Sequence, residues 1–234
     1  MCRILHIDTS TDVCSVCLAS NGKLISKRET GIERSHASIL TVFIEELLED
    51  STGDNRSLDA IAVSMGPGSY TGLRIGVSAA KGICYGANIP LIAIPTLEAI
   101  CIGALQCFTD LEDDALLVPM IDARRMEVYM AVYDMQMKNI EDTSALIIDK
   151  DSFRDLLASH VIYLFGTGAE KLKYSLTHKN IRFPGKLEMS SEYMIELALQ
   201  RFKDKHFEDV AYFEPYYLKD FVATTPRKNQ LLKP

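Results

Sequence analysis

Three stretches of this chain carry residue types that bind or move charge. Asp8-Thr9-Ser10 follows an apolar run from Ile4 to Ile7 and sets a carboxylate beside two hydroxyls. Such a turn can hold a metal–phosphate group, or it can close on itself through Asx-type hydrogen bonds. Residues 64–82, SMGPGSYTGLRIGVSAAKG, place Gly66, Gly68 and Gly72 ahead of a helical pattern. A helix start points free N–H groups outward, which is the chemistry of an anion site. It is not a Walker loop, because no Lys-Ser or Lys-Thr pair follows the glycines at the required spacing. The third stretch, Asp122-Ala123-Arg124-Arg125-Met126-Glu127, is a dense charged turn that reads as cleft-facing or as solvated surface.

Other chemistries fit poorly. Cys14 and Cys17 form a C-x-x-C, but they lie in DVCSVCLAS, which alternates like a strand and sends the two side chains to opposite faces. Two small buried residues in a reduced protein are the better reading. The histidines, at 6, 36, 160, 178 and 206, are isolated, and none has the i, i+4 spacing of a helical metal pair. No G-x-S-x-G elbow exists for a serine hydrolase. No metal site and no cofactor are expected.

The elements that must position these residues read clearly in the first half. Residues 3–8, 13–19 and 23–30 are strands, the last two joined by an Asn21-Gly22 hairpin turn. Ser35 caps a helix over 35–50 that stops near Ser51-Thr52-Gly53, and LDAIAVSM is a further strand. A helix over 71–86 and the strand PLIAI follow. Gly72, Gly76, Ala79, Ala80, Gly82 and Gly86 form small-residue tracks on that helix. Glycine in a helix interior costs about 0.8–1 kcal/mol against alanine, so a packing reason is required, and close approach of another helix supplies one.

The second half repeats the plan. ILHIDTSTDVCSVCLAS and VPMIDARRMEVYMAVYD share a strand, then Ile-Asp, a turn and a second strand, with Asp8 and Asp122 in the same place. AVSMGPGSYTGLR and VIYLFGTGAEKLK each run strand, Gly-x-Gly, helix. Two matches in one order indicate an internal duplication. A βββαβα unit used twice is the plan of a duplicated actin/Hsp70-like (ribonuclease H-like) α/β fold, two lobes each with a mixed sheet flanked by helices. Residues 1–106 are expected to be one lobe and 107–234 the other, with an acidic linker at 106–115 and a polar tail from Thr224.

The 234 residues suffice for a sizeable core, and 47% hydrophobic with 24% charged residues is ordinary for a soluble globular protein. No run approaches the ~20 apolar residues of a membrane helix. MCRILHIDTS enters a strand pattern without a basic region ahead of an apolar one, so a cytoplasmic protein is expected. A net charge of −7 and a pI near 5.3 do not suit a chain that grips nucleic acid alone. If it serves RNA, a partner supplies most of the grip.

ILHIDTSTDVCSVCLAS, SHASIL and SMGPGSYTGLRIGVSAAKGICYGANIPLIAIPTLEAI together resemble the TsaB (YeaZ) family, the bacterial partners of the tRNA threonylcarbamoyl transferase TsaD. The likeness is strong over residues 1–104 and looser beyond, where MIDARRMEVYMAVYD and EPYYLKD still fit. It implies a non-catalytic scaffold that pairs with TsaD through its N-terminal lobe, meets a TsaE-like ATPase, reaches tRNA only through that complex, and forms a homodimer when alone. It also implies that Thr96 and Ile100 stand where TsaD carries a histidine metal pair; neither side chain replaces imidazole. The expected partner surface comprises Ile39, Phe43 and Leu47 on the first helix and Tyr70, Leu73, Arg74, Gly76, Val77 and Ala80 on the second. Asp8, Thr9, Ser10, Gly66, Gly68 and Asp122 are the weaker candidates for a cleft ligand. The alternatives are an ATP-binding enzyme of the actin/sugar-kinase type that works alone, and a metallopeptidase.

Overall fold

The computed structural model describes residues 2–31, 36–49 and 57–219. The expected cap at Ser35, the stop at 51–53 and the tail from Thr224 lie outside the described residues.

Strands β1 (Arg3–Asp8), β2 (Cys14–Ser20) and β3 (Lys23–Thr30) form an antiparallel meander. Helix α1 (His36–Glu49) carries the chain to β4 (Ala60–Gly66), which lies parallel to β1. Helix α2 (Tyr70–Ala87) then leads to β5 (Leu91–Pro95), parallel to β4. Ser69 caps α2 by accepting from the Gly72 N–H (3.2 Å), and Asn88 ends it in the left-handed conformation, ahead of Pro90. Helix α3 (Thr96–Cys107) closes the first half.

The second half runs β6 (Leu116–Asp122), β7 (Glu127–Asp134), β8 (Asn139–Ile147), α4 (Arg154–Leu157), β9 (Ile162–Phe165), β10 (Ile181–Arg182) and α5 (Ile195–Lys203). Its strand order β8-β7-β6-β9-β10 repeats β3-β2-β1-β4-β5, with the same antiparallel and parallel pairings. The duplication read from Ile7-Asp8 and Ile121-Asp122 is therefore present in the topology. The helices diverge: the 18 residues of α2 have only a short 3₁₀ turn, Glu170–Leu172, as counterpart.

Three apolar layers hold the halves. Leu5, Ile7, Val16, Leu18, Ile61 and Val63 pack beneath Leu40, Leu47 and Val77 of α1 and α2. Val118, Met120, Val128 and Leu164 form the outer layer of the second lobe. The central layer joins both sheets through α3, with Ile4, Ala62, Ile92 and Ile94 on one side and Leu117, Ile121, Ala131 and Phe165 on the other. Being enclosed on both sides, α3 is apolar around most of its girth, as Leu97, Ala99, Ile100, Cys101 and Ala104 show. Helix α5 returns to contact β1 and β5, and Glu208 bridges to Leu91. A cut at residue 106 thus separates the sheets, while α3 and α5 cross over it. The result is a two-lobed, duplicated α/β fold of the actin/Hsp70-like type.

Candidate functional site

The first Asp turn and the glycine-rich turn are pressed together. Asp8 is fully buried at the end of β1, and its carboxylate accepts from the Ser10 N–H (3.2 Å) and hydroxyl (3.1 and 3.0 Å to its two oxygens). Burial pushes its pKa up to about 6, against the lowering effect of the Ser64 and Ser10 hydroxyls. The Thr9 hydroxyl donates to the Gly72 carbonyl (2.7 Å), and the Ser69 N–H donates to the Ser10 carbonyl (2.7 Å). A Cβ at Gly68 would overlap the carbonyl oxygen of Ser10, one at Gly72 that of Thr9, and one at Gly76 the Thr9 hydroxyl. These glycines therefore seat α2 on the turn after β1. At its start the Ser69, Gly72 and Leu73 N–H groups are used internally, by the Ser10 carbonyl, the Ser69 hydroxyl and the Ser69 carbonyl in turn.

The second turn is closed by other means. Asp122 is exposed and pairs with Lys171 Nζ (2.5 Å), which also donates to the Glu127 carbonyl (2.6 Å). The Arg124 N–H donates to the Asp122 carboxylate (2.8 Å), and Arg124 and Arg125 both adopt positive φ (71° and 52°). Gly168 N–H donates to Met120 O (3.0 Å), tying the second Gly-x-Gly turn to β6 itself and not to the turn after it. Asp8 and Asp122 hold equivalent places in the fold and opposite environments.

Between the lobes lies a cleft of about 690 Å³, lined by Ser10, Thr11, Asp12, Gly68, Ser69 and Tyr70 from one side and by Asp122, Arg124, Tyr129 and Thr167 from the other. Of the six weaker candidates it brings Ser10, Gly68 and Asp122 together, whereas Asp8, Thr9 and Gly66 do not line it. Gly66 has φ +112°, a region open to glycine, and the Tyr216 backbone fills the space a side chain there would need. Tyr216, Tyr217, Leu218 and Lys219 form a further wall. Sequence reading missed this wall, because EPYYLKD has no periodicity and meets Gly66 only through the fold. Thr96 and Ile100 have structural work: the buried Thr96 hydroxyl accepts from the Gly66 N–H (3.2 Å), and Ile100 lies in the central core. Cys14 and Cys17 face opposite sides of β2, the first toward α1 and α2 and the second toward Ile195, and burial pushes both thiols up to about 12. Among the described residues, no group of three His, Cys, Asp or Glu side chains is placed to hold a metal. Nor is any helix among them long and apolar enough to cross a membrane.

The surface read for a partner divides. Leu47, Leu73, Gly76, Val77 and Ala80 are buried against their own lobe, and Ile39 and Phe43 are half-buried. Tyr70 is half-buried and Arg74 exposed. The outward side of α2 is formed instead by Thr71, Arg74, Ser78, Gly82, Tyr85 and Gly86, with Val42 exposed on the neighbouring α1. Gly82 and Gly86 have open space where a Cβ would stand. The glycines of one helix thus serve two purposes, inward at 72 and 76 and outward at 82 and 86.

Comparison with known proteins agrees with this architecture. The family model described as TsaD, tRNA N6-adenosine threonylcarbamoyltransferase, matches residues 20–232. The tRNA threonylcarbamoyladenosine biosynthesis protein TsaB of Haemophilus influenzae is 31% identical over 233 residues, covering 94% of this chain and 94% of that one. The protein of the same name from Escherichia coli is also 31% identical, covering 94% of this chain and 96% of its own. YeaZ from Pseudomonas aeruginosa superposes with a TM-score of 0.75 at 25% identity, covering 93% of this chain and 100% of that chain. A second P. aeruginosa structure, described as similar to peptidase YEAZ, reaches 0.80 at 25% identity over 94% and 100% of the two chains. With its duplicated fold and full-length relatives, this chain belongs to the TsaB (YeaZ) family, within the wider family that the TsaD model describes.

Proposed function

We propose that this chain is a non-catalytic scaffold subunit in the synthesis of tRNA threonylcarbamoyladenosine, and that it pairs with a TsaD-type transferase through its first lobe. One observation carries the reading. The turn after β1 is packed against the start of the chain's own α2 through Gly68, Gly72 and Gly76, while the outer side of the same helix is left open at Ser78, Gly82, Tyr85 and Gly86. With the Ser69, Gly72 and Leu73 N–H groups used internally, the start of α2 keeps fewer donors for an anion, and its outward-facing glycines admit a second helix at short range. The lobe spanning residues 1–106, with α1 and α2 on its surface, is the docking unit in this reading. A TsaE-like ATPase joins through the complex, tRNA is met only there, the chain pairs with itself when the transferase is absent, and the assembly works in the cytoplasm.

Mixing the purified chain with a TsaD-type transferase is expected to give one heterodimeric species by size-exclusion chromatography with light scattering. Two species at their separate masses would contradict the proposal.

A further inference from the structure

Beyond α5 the chain runs from Asp204 to Lys219 without helix or strand, yet it is pinned in two distinct ways. Its first part is anchored. Glu208 N–H donates to Leu91 O (2.9 Å), Lys81 Nζ holds the carbonyls of Ala211 (3.2 Å) and Phe213 (2.8 Å), and Phe213 is buried in the core under α1 and α2. After Pro215 the contacts become superficial. Tyr216 N–H donates to Met65 O (2.8 Å), and the Tyr217 ring lies 4.9 Å from that of Tyr70. Arg74 sits 4.3 Å over the Tyr70 ring, and its Nε donates to the Tyr217 hydroxyl (3.1 Å). Lys219 then pairs with Glu127 at the start of β7, on the opposite lobe.

This arrangement places a weakly held segment over a surface of interest. Tyr70 and Arg74 belong to the first turn of α2, at one end of the helix assigned to the partner, and Tyr217 already occupies them. Cation–π contacts and ion pairs that stay part-exposed, as these do, hold modestly and weaken in salt, so the 216–219 stretch opens more easily than the buried Phe213 anchor. The same stretch walls the cleft, so its release widens the cleft and bares the first turn of α2 together.

We infer that residues 216–219 are a displaceable strap: in the free chain they cover the start of α2 and bridge the lobes, and a transferase docking on α2 lifts Tyr217 off Arg74 and Tyr70. This rests on the proposed pairing with a TsaD-type protein, whose arrival the strap restrains.

The test uses the full chain and two variants that loosen opposite ends of the strap, Tyr217→Ala and Glu127→Gln. Affinity for the transferase is measured by titration calorimetry, and exchange of the Tyr216 amide by hydrogen–deuterium mass spectrometry. Both variants are expected to speed that exchange in the free chain. Tyr217→Ala is expected to bind the transferase about tenfold more tightly, equivalent to about 1.4 kcal/mol, and Glu127→Gln several-fold more tightly. In the wild-type complex the 216–219 amides exchange faster than in the free chain. Wild-type binding with unchanged or weakened binding of both variants would overturn the strap and leave the pairing intact. Binding by neither wild type nor variants would overturn both, while binding by the variants alone would establish a strap stronger than expected.

Discussion

Replacing Gly72 with alanine is expected to destabilise the chain by about 3 kcal/mol, and the same change at Gly82, ten residues along the same helix, to stabilise it by about 1 kcal/mol. The opposite signs follow from what each position faces. A Cβ at Gly72 would overlap the Thr9 carbonyl oxygen, which is backbone, belongs to the turn between β1 and β2, and cannot swing aside as a side chain would. Thr9 is itself held to the helix by its hydroxyl bond to the Gly72 carbonyl (2.7 Å), so relief requires moving α2 bodily and breaking that bond. Nothing lies within 4 Å of a Cβ at Gly82, where alanine only removes the entropic penalty of glycine in a helix. For a chain of this length the first change lowers Tm by about 6–12 °C and the second raises it by a few degrees, readable by calorimetry or circular dichroism. Equal effects at the two sites would show that α2 is not seated on the Asp8–Ser10 turn as described.

That pair of glycines also marks how far the sequence could be read. The hairpin at Asn21-Gly22, the α1 and α2 helices and the Ile-Asp repeat at Asp8 and Asp122 were legible, because each is fixed by local turn chemistry or by apolar period. The inward or outward sense of each glycine was not. Gly72 and Gly76 face Thr9 across more than sixty residues of chain, and nothing near them in sequence records that contact. The same reason hides the central layer, where α3 has apolar residues almost all round because sheets from both halves enclose it. It hides the strap as well, since Tyr217 meets Arg74 only after the whole second lobe has folded back. For the partner surface, periodicity chose residues that lie mostly on the core side of α1 and α2. Leu47, Leu73, Val77 and Ala80 are apolar because their own sheet needs them.

Asp8 makes the second large prediction, and it concerns pH. The folded-state pKa, pushed up to about 6 by burial, lies above the ordinary value of 3.8. A raised carboxyl pKa contributes stability that is complete below the unfolded value and is lost as pH rises through the folded one. Over that interval the ionised carboxylate costs the native state about 3 kcal/mol. His6, two residues earlier on the same strand and fully buried, runs the other way. Burial lowers its pKa from 6.5 to about 4, so its contribution is complete above 6.5 and is lost as pH falls toward 4. Between pH 4 and 6 the two slopes oppose each other, and the wild-type profile is expected to be shallow in their combined contribution.

Asp8→Asn keeps a carbonyl oxygen for Ser10 and removes the titration. Its stability relative to wild type is expected to increase by about 3 kcal/mol between pH 4 and pH 7, and the variant's own profile to fall more steeply on the acid side because the His6 slope is no longer offset. Urea midpoints at unchanged m-value, taken at half-unit intervals from pH 4 to 7.5, give the comparison. Parallel curves for wild type and variant would place Asp8 in contact with water, and with it reopen the turn to an anion. The prediction therefore bears on function as well as on stability. Asp8 is fully buried and does not line the cleft, so it is not placed to meet a ligand there.

The central claim is that the chain works through the outer side of α2. The most direct measurement is the affinity of Gly82→Leu for a TsaD-type transferase, by calorimetry, beside that of the wild-type chain. Gly82 has open space around it in the free chain, so leucine leaves the fold intact and its Tm no lower than that of the wild-type chain, while holding an approaching helix away. The account predicts a loss of affinity of at least tenfold with a melting temperature equal to or slightly above that of the wild-type chain. Binding as tight as that of the wild-type chain would contradict it.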